Sequence, residues 1–150
     1  MKRALRPRSG WRQPLPQDRE SIVLPEVLAE LQALRGRVPY LTGSLLATTD
    51  GLVLTHDVDG PEPEAVAALT AAALGVGARL AEATGQGAFQ ELLTRGEHGY
   101  IATYAVGASV VLTLFAGPDA NVGLLHFEAR RAGSRIAEHT EAVLRRQIQP

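Results

Sequence analysis

Leu45-Leu46-Ala47-Thr48-Thr49-Asp50-Gly51-Leu52-Val53-Leu54 sets two apolar runs on either side of an Asp-Gly pair. Asp-Gly in that setting is the strongest short-range hairpin signal, because both central positions of the tight turn favour positive φ. The strands read as Tyr40–Thr48 and Leu52–His56. Upstream, Val23, Val27, Leu31 and Leu34 recur at steps of four, four and three, which is helical spacing. That predicts a first helix over 21–36, with Gly36 as its C-cap. Downstream, Asp57-Val58-Asp59-Gly60-Pro61 reads as a loop. Pro61, Glu62, Pro63 and Glu64 then open a second helix, since Pro fits a first turn and acids suit the helix dipole. It runs to about Thr84.

This second helix has no charged residue from Ala65 to Ala78, a span of 14 residues. Its larger apolar residues Val66, Leu69, Ala73, Val76 and Leu80 define one face. Ala68, Ala71 and Gly75, all small, lie on the other. A helix that is apolar all round is buried on both sides, and a domain this small covers only one. A second protein chain is therefore expected on the small-residue side. The plainer alternative is an exposed Ala-rich helix, since Ala is a good helix former and barely apolar.

Three strand-like runs follow: Ala88–Thr94, Gly99–Val106 and Ser109–Phe115, the last rich in β-branched residues. Short turns make them an antiparallel meander. Asn121 or Asp119 caps a last helix that runs to about Arg146. Leu125, Ala129, Ala132, Ile136, Thr140 and Val143 line one of its faces; Glu128, Arg131, Arg135 and Glu138 lie off it. The order α-β-β-α-β-β-β-α predicts an α+β fold. Its five-stranded antiparallel sheet carries the middle helix on one face and the terminal helices on the other.

A chain of 150 residues fits one domain. It has no Cys, which excludes disulfides, Cys-based zinc sites and thiol nucleophiles. Its single Lys is Lys2, so a Walker A loop, a Schiff-base enzyme or a kinase would have no lysine within the folded domain. Residues 1–20 hold six basic and two acidic side chains, a charge of +4, whereas residues 21–150 sum to −5. The mildly acidic body argues against nucleic acid, which calls for a basic face. Neither a membrane span nor a secretory signal is expected, and the protein is expected in the cytoplasm. The basic, Pro-rich residues 1–20 read as a disordered tail ahead of a domain over 21–150. Within the tail, Arg6, Arg8, Trp11 and Arg12 are either a docking peptide or a solvated segment.

Catalytic patterns do not assemble. His126 and His139 stand thirteen residues apart on the last helix, which is 220° around its axis at about 100° per residue. They cannot share a metal. His56, Asp57 and Asp59 form the one cluster of ligand types, in a loop where solvation is the ordinary fate. Ser44, Ser109 and Ser134 lack a nucleophile-elbow context. No catalytic residue, cofactor or metal site is expected, and the sequence points to binding.

The Leu45–Leu54 hairpin, the Ala-rich helix and the junction Phe115-Ala116-Gly117-Pro118-Asp119-Ala120-Asn121-Val122-Gly123-Leu124-Leu125 resemble the roadblock (dynein light chain) family, over about 21–146. This resemblance implies a profilin- or longin-like fold. It implies a homodimer through the middle helix and third strand, with Ala68, Ala71, Ala72, Gly75, Arg79, Phe89 and Glu91 on the dimer face. It also implies a non-catalytic regulator or scaffold for a Ras-like small GTPase of the Mgl type. The Arg-for-Lys bias points to a high-GC, actinobacterial-type source, where similar proteins accompany such GTPases and a sensor kinase. A sensor module of the PAS or GAF kind is the alternative, although its pocket usually needs more aromatics than three Phe and three Tyr.

Overall fold

The computed structural model describes residues 24–148, with side-chain surroundings from 25 to 140. The Asp-Gly turn joins β1 (Leu41–Thr48) to β2 (Val53–Asp57). The Thr48 N–H donates to the Leu52 carbonyl at 2.8 Å, leaving a three-residue loop. Within that loop only Gly51 has positive φ, at +88°. The turn is thus Thr49-Asp50-Gly51 as read from the sequence, but with only Gly51 in the left-handed region, where positive φ was expected at both central positions.

Before the hairpin lies α1 (Leu24–Arg37), which continues through Gly36, so Gly36 is not its cap. After it come α2 (Pro63–Ala83), β3 (Glu91–Gly96), β4 (Gly99–Val106), β5 (Val110–Ala116) and α3 (Val122–Ile148). Pro63 stands in the first turn of α2. Asn121 caps α3, its Oδ1 accepting from the Leu124 N–H at 3.0 Å. The third strand begins three residues later than predicted, at Glu91.

All pairings are antiparallel, in the order β2-β1-β5-β4-β3, so β2 and β3 are the free edges. The main core lies between one sheet face and α1 with α3. Val27, Leu31 and Leu34 meet Leu46, Leu112 and Leu114 there, and Leu125, Ala129, Ala132 and Ile136 close it. The opposite face carries a smaller core of Leu45, Ala47 and Ala67, with Val53, Val66 and Phe115 around it. This is the predicted layering, with α2 alone on its side.

Helices α1 and α3 run antiparallel and are joined by ion pairs. Arg37 bridges Glu30 and Glu128, both at 2.9 Å, and Arg135 reaches Glu30 at 2.7 Å. Glu128 was expected off the packed face of α3, yet it is buried. Its charge is accommodated because Arg37 supplies the compensating cation. Another arginine, Arg35, donates to the Thr42 and Asp57 carbonyls and pairs with the Asp57 carboxylate at 2.7 Å. Asp57 is therefore committed within the fold. Among the described residues, no group of three or more His, Asp and Glu is placed to hold a metal.

By length and composition alone, α2 is apolar enough to cross a membrane. Only 11% of its most apolar stretch is buried within the chain.

Candidate interaction surface

The face that α2 turns to the sheet carries Ala67, fully buried, and Thr70, nearly so, with Val66 and Leu74 half-buried beside them. The hairpin tip lies against the same helix. A Cβ at Gly51 would stand 3.3 Å from the Ala68 Cα and 3.5 Å from the Ala71 Cβ. The helix thus passes close beside Gly51, where a side chain would press on it. Farther along, Phe89 covers Gly77, where a Cβ would come within 2.8 Å of the ring. Phe89 thereby pins the C-terminal half of α2.

The uncovered face also carries large side chains. Leu69 is 70% exposed, Val76 68% and Leu80 64%. The side expected to be free is open at Ala68 and Gly75 and half-buried at Ala71, so small and large residues share the exposed surface. Residues three, four and seven apart share a helix face, so Leu69, Val76 and Leu80 form one ridge. Ala68, Ala72, Gly75 and Arg79 are exposed as well, whereas Ala71 is half-buried.

At the other end of the sheet from the α2–β1–β2 contact lies β3, an edge strand among the described residues. Its first residue, Glu91, pairs with Tyr104 of β4 in the ladder. Arg130 of α3 grips the Glu91 carboxylate through Nε at 3.0 Å and through Nη2. These hydrogen bonds, outweighing burial, hold the Glu91 carboxyl below its ordinary range. The Tyr104 hydroxyl stands 2.7 Å from His126 Nδ1. Burial first, and the Glu91 charge second, push the Tyr104 phenol up from its usual value. A groove of about 1150 Å³ opens between the C-terminal half of α2, the β3 edge and α3.

Of the residues implied as a dimer face, Ala68, Ala72, Gly75 and Arg79 are therefore open. Ala71 and Phe89 serve packing within the chain, and Glu91 is tied to Arg130 on the α3 side. The Leu69–Val76–Leu80 ridge was visible in the sequence as part of a stripe, and it is exposed alongside the small residues Ala68, Ala72 and Gly75. The Tyr104–His126 and Glu91–Arg130 pairs join residues 22 and 39 positions apart and left no local signal. Arg6, Arg8, Trp11 and Arg12 lie outside the described residues.

Comparison with known proteins supports the fold. The Roadblock/LC7 domain model matches residues 27–116. A structure described as MglB with a tetrameric arrangement is similar at TM-score 0.76 and 22% identity, over 81% of this chain and 93% of that one. A Roadblock/LC7 domain from Streptomyces avermitilis matches at TM-score 0.71 and 21% identity, over 75% and 96% of the two chains. The gliding protein MglB from Thermus thermophilus matches at TM-score 0.65 and 26% identity, over 85% and 92%. Among curated proteins none matches. With the hairpin, the five-stranded sheet and the lone middle helix in place, and the family model spanning them, the chain belongs to the Roadblock/LC7 domain family.

Proposed function

We propose that the protein is a non-catalytic homodimeric regulator of a Ras-like small GTPase of the Mgl type in a bacterial signalling system. The observation that carries the dimer is the Leu69–Val76–Leu80 ridge, exposed on α2. Burying one such side chain fully contributes about 1.5–3 kcal/mol. Two copies bring six of them together, enough to offset the roughly 4–15 kcal/mol of freedom lost on association. Ala68, Ala72 and Gly75 flank the ridge and let a second helix come close, and β3 offers its free N–H and C=O groups to a second strand. The GTPase rests on the family resemblance and on the likeness to MglB structures. A sensor kinase of the same system is a further expected partner.

The dimer is tested by sedimentation equilibrium of the wild type, Leu69→Glu and Val76→Glu. A wild-type dimer and folded monomeric variants are expected, because an unpaired charge at the contact costs several kcal/mol. A monomeric wild type, or variants that dimerise unchanged, removes the interface. The partner is tested by titrating host Ras-like GTPases, loaded with GTP or GDP, against the protein. Binding that prefers one nucleotide state supports the reading, and none binding in either state ends it.

A further inference from the structure

Two copies of α2 can run past one another in either direction and at several registers, and the charges of the helix distinguish these arrangements. Glu64 and Arg79 bound the uncharged span Ala65–Ala78, so they stand at equal distances from its middle. Steps of four, seven and four residues separate Glu64, Ala68, Gly75 and Arg79, which puts all four on one side of the helix. All four are exposed, as is Ala72 among them. The Leu69–Val76–Leu80 ridge runs alongside. Among the described residues, neither Glu64 nor Arg79 takes part in an ion pair. The nearest acid to Arg79 along α2 is Glu82, which is exposed as well.

We propose that Glu64 and Arg79 fix an antiparallel register in which each Arg79 meets Glu64 of the partner subunit, and that this pair selects a second copy of this chain over other partners. The inference rests on the homodimer reading above. Equal spacing about one point is what a two-fold axis requires: what one copy gives, it also receives. With the axis at the middle of the span, both charges of one copy face their opposites in the other. They lie on the same side of α2, and the two-fold keeps them on the same side of the contact. Arg79 then stands between Glu64 of the partner subunit and its own Glu82. The ridge fits this register too, since Leu69 comes within one turn of Val76 of the partner subunit. Leu80 reaches the partner's first turn, at Pro63. Parallel pairing would instead set Glu64 against Glu64 and Arg79 against Arg79, and like charges in contact are unfavourable. Centring the antiparallel pair on Leu69 and Leu80 would slide the helices by about 9 Å and leave each Arg79 beside uncharged residues. A related chain without an acid and a base at this spacing loses both pairs, which is discrimination against the wrong partner. Exposed ion pairs add little strength, so the ridge supplies the burial and the charges choose the register.

The test uses the full-length wild type, Glu64→Arg, Arg79→Glu and the double variant. Sedimentation equilibrium gives the dissociation constants at low and high salt, and native mass spectrometry with one tagged chain counts mixed dimers. Each single variant sets like charges together at two symmetry-related points. Its dissociation constant should rise about tenfold or more at low salt, and by much less at high salt. Mixing the two single variants restores opposite charges at both points, so mixed dimers should dominate with an affinity near that of the wild type. Recovery in the mixture separates a lost contact from poor folding, because both variant chains are present in it. The double variant should self-associate as the wild type does, yet form few mixed dimers with the wild type. Single variants that self-associate unchanged, or that pair with each other no better than each does alone, overturn the register while the homodimer stands. A monomeric wild type removes both.

Discussion

Two residues sit in the fold at a cost that can be measured. Ser44 is fully buried, and its hydroxyl has no hydrogen-bond partner among the described residues. A buried donor left unmade costs about 1–3 kcal/mol, and removing the group costs little in packing. Ser44→Ala should therefore leave stability unchanged or raise it by up to about 1 kcal/mol in urea unfolding. Tyr40 follows Pro39 in the corner between α1 and β1, with φ at +68° and its ring 61% exposed. The Leu41 N–H donates to Val38 O and the Gly117 N–H to Tyr40 O, so the backbone is fixed from two sides. A left-handed conformation costs a non-glycine residue about 1–2 kcal/mol. Tyr40→Gly should raise the unfolding free energy by up to about 1 kcal/mol after glycine's own entropy is subtracted, read from urea unfolding. Glu91 gives the pH dependence. Its carboxyl is held below the ordinary range, so its contribution is complete at neutral pH and is lost as pH falls through the depressed value. The stability gap between wild type and Glu91→Gln should shrink from pH 7 to pH 3, and a constant gap would show that the Arg130 contact adds nothing.

Helices α1 and α3 are held by apolar packing and by one arginine between two carboxylates. Arg37→Met keeps the stem but leaves Glu128, with only 10% of its side chain exposed, without a cation. Such a change should cost about 1–3 kcal/mol, and Glu128→Gln added to it should recover part of the loss, because the stranded charge is gone. Additive losses in that cycle would show that the two residues are not coupled. The same elements show what the sequence could and could not reveal. The order of helices and strands was readable because Asp50-Gly51, the spacing of Val27, Leu31 and Leu34, and the β-branched run in β5 each mark their own element locally. The free face of α2 was not. A helix with no charge from Ala65 to Ala78 lacks the polar stripe that would tell inside from outside. Size did not separate the faces either, since Val66 packs on the sheet while Ala68 and Gly75 stand exposed beside Leu69 and Val76. Phe89 and Glu91 were readable as neighbours in sequence, but not as residues bound to Gly77 and Arg130, whose positions follow only from the finished sheet. Glu128 was misplaced for a related reason: its buried position depends on Arg37, 91 residues away.

One layer of the protein is closed and the other is open. The α1–α3 side has a continuous core, while the α2 side covers only one end of the sheet and leaves β3 unpaired. We propose that residues 1–20 serve binding alone. Their deletion should leave the melting temperature and self-association unchanged, and should weaken contacts with an acidic partner at 0.05 M salt far more than at 1 M, where screening shortens to about 3 Å. A large fall in melting temperature would instead make them part of the domain. The bare ridge of α2 also bears on the life of the chain in the cell. A copy just released from the ribosome offers Leu69, Val76 and Leu80 to any apolar surface it meets, chaperones and proteases included. Its survival is then set by how soon that ridge is covered, so surplus chains are the ones removed and abundance follows the supply of whatever covers them.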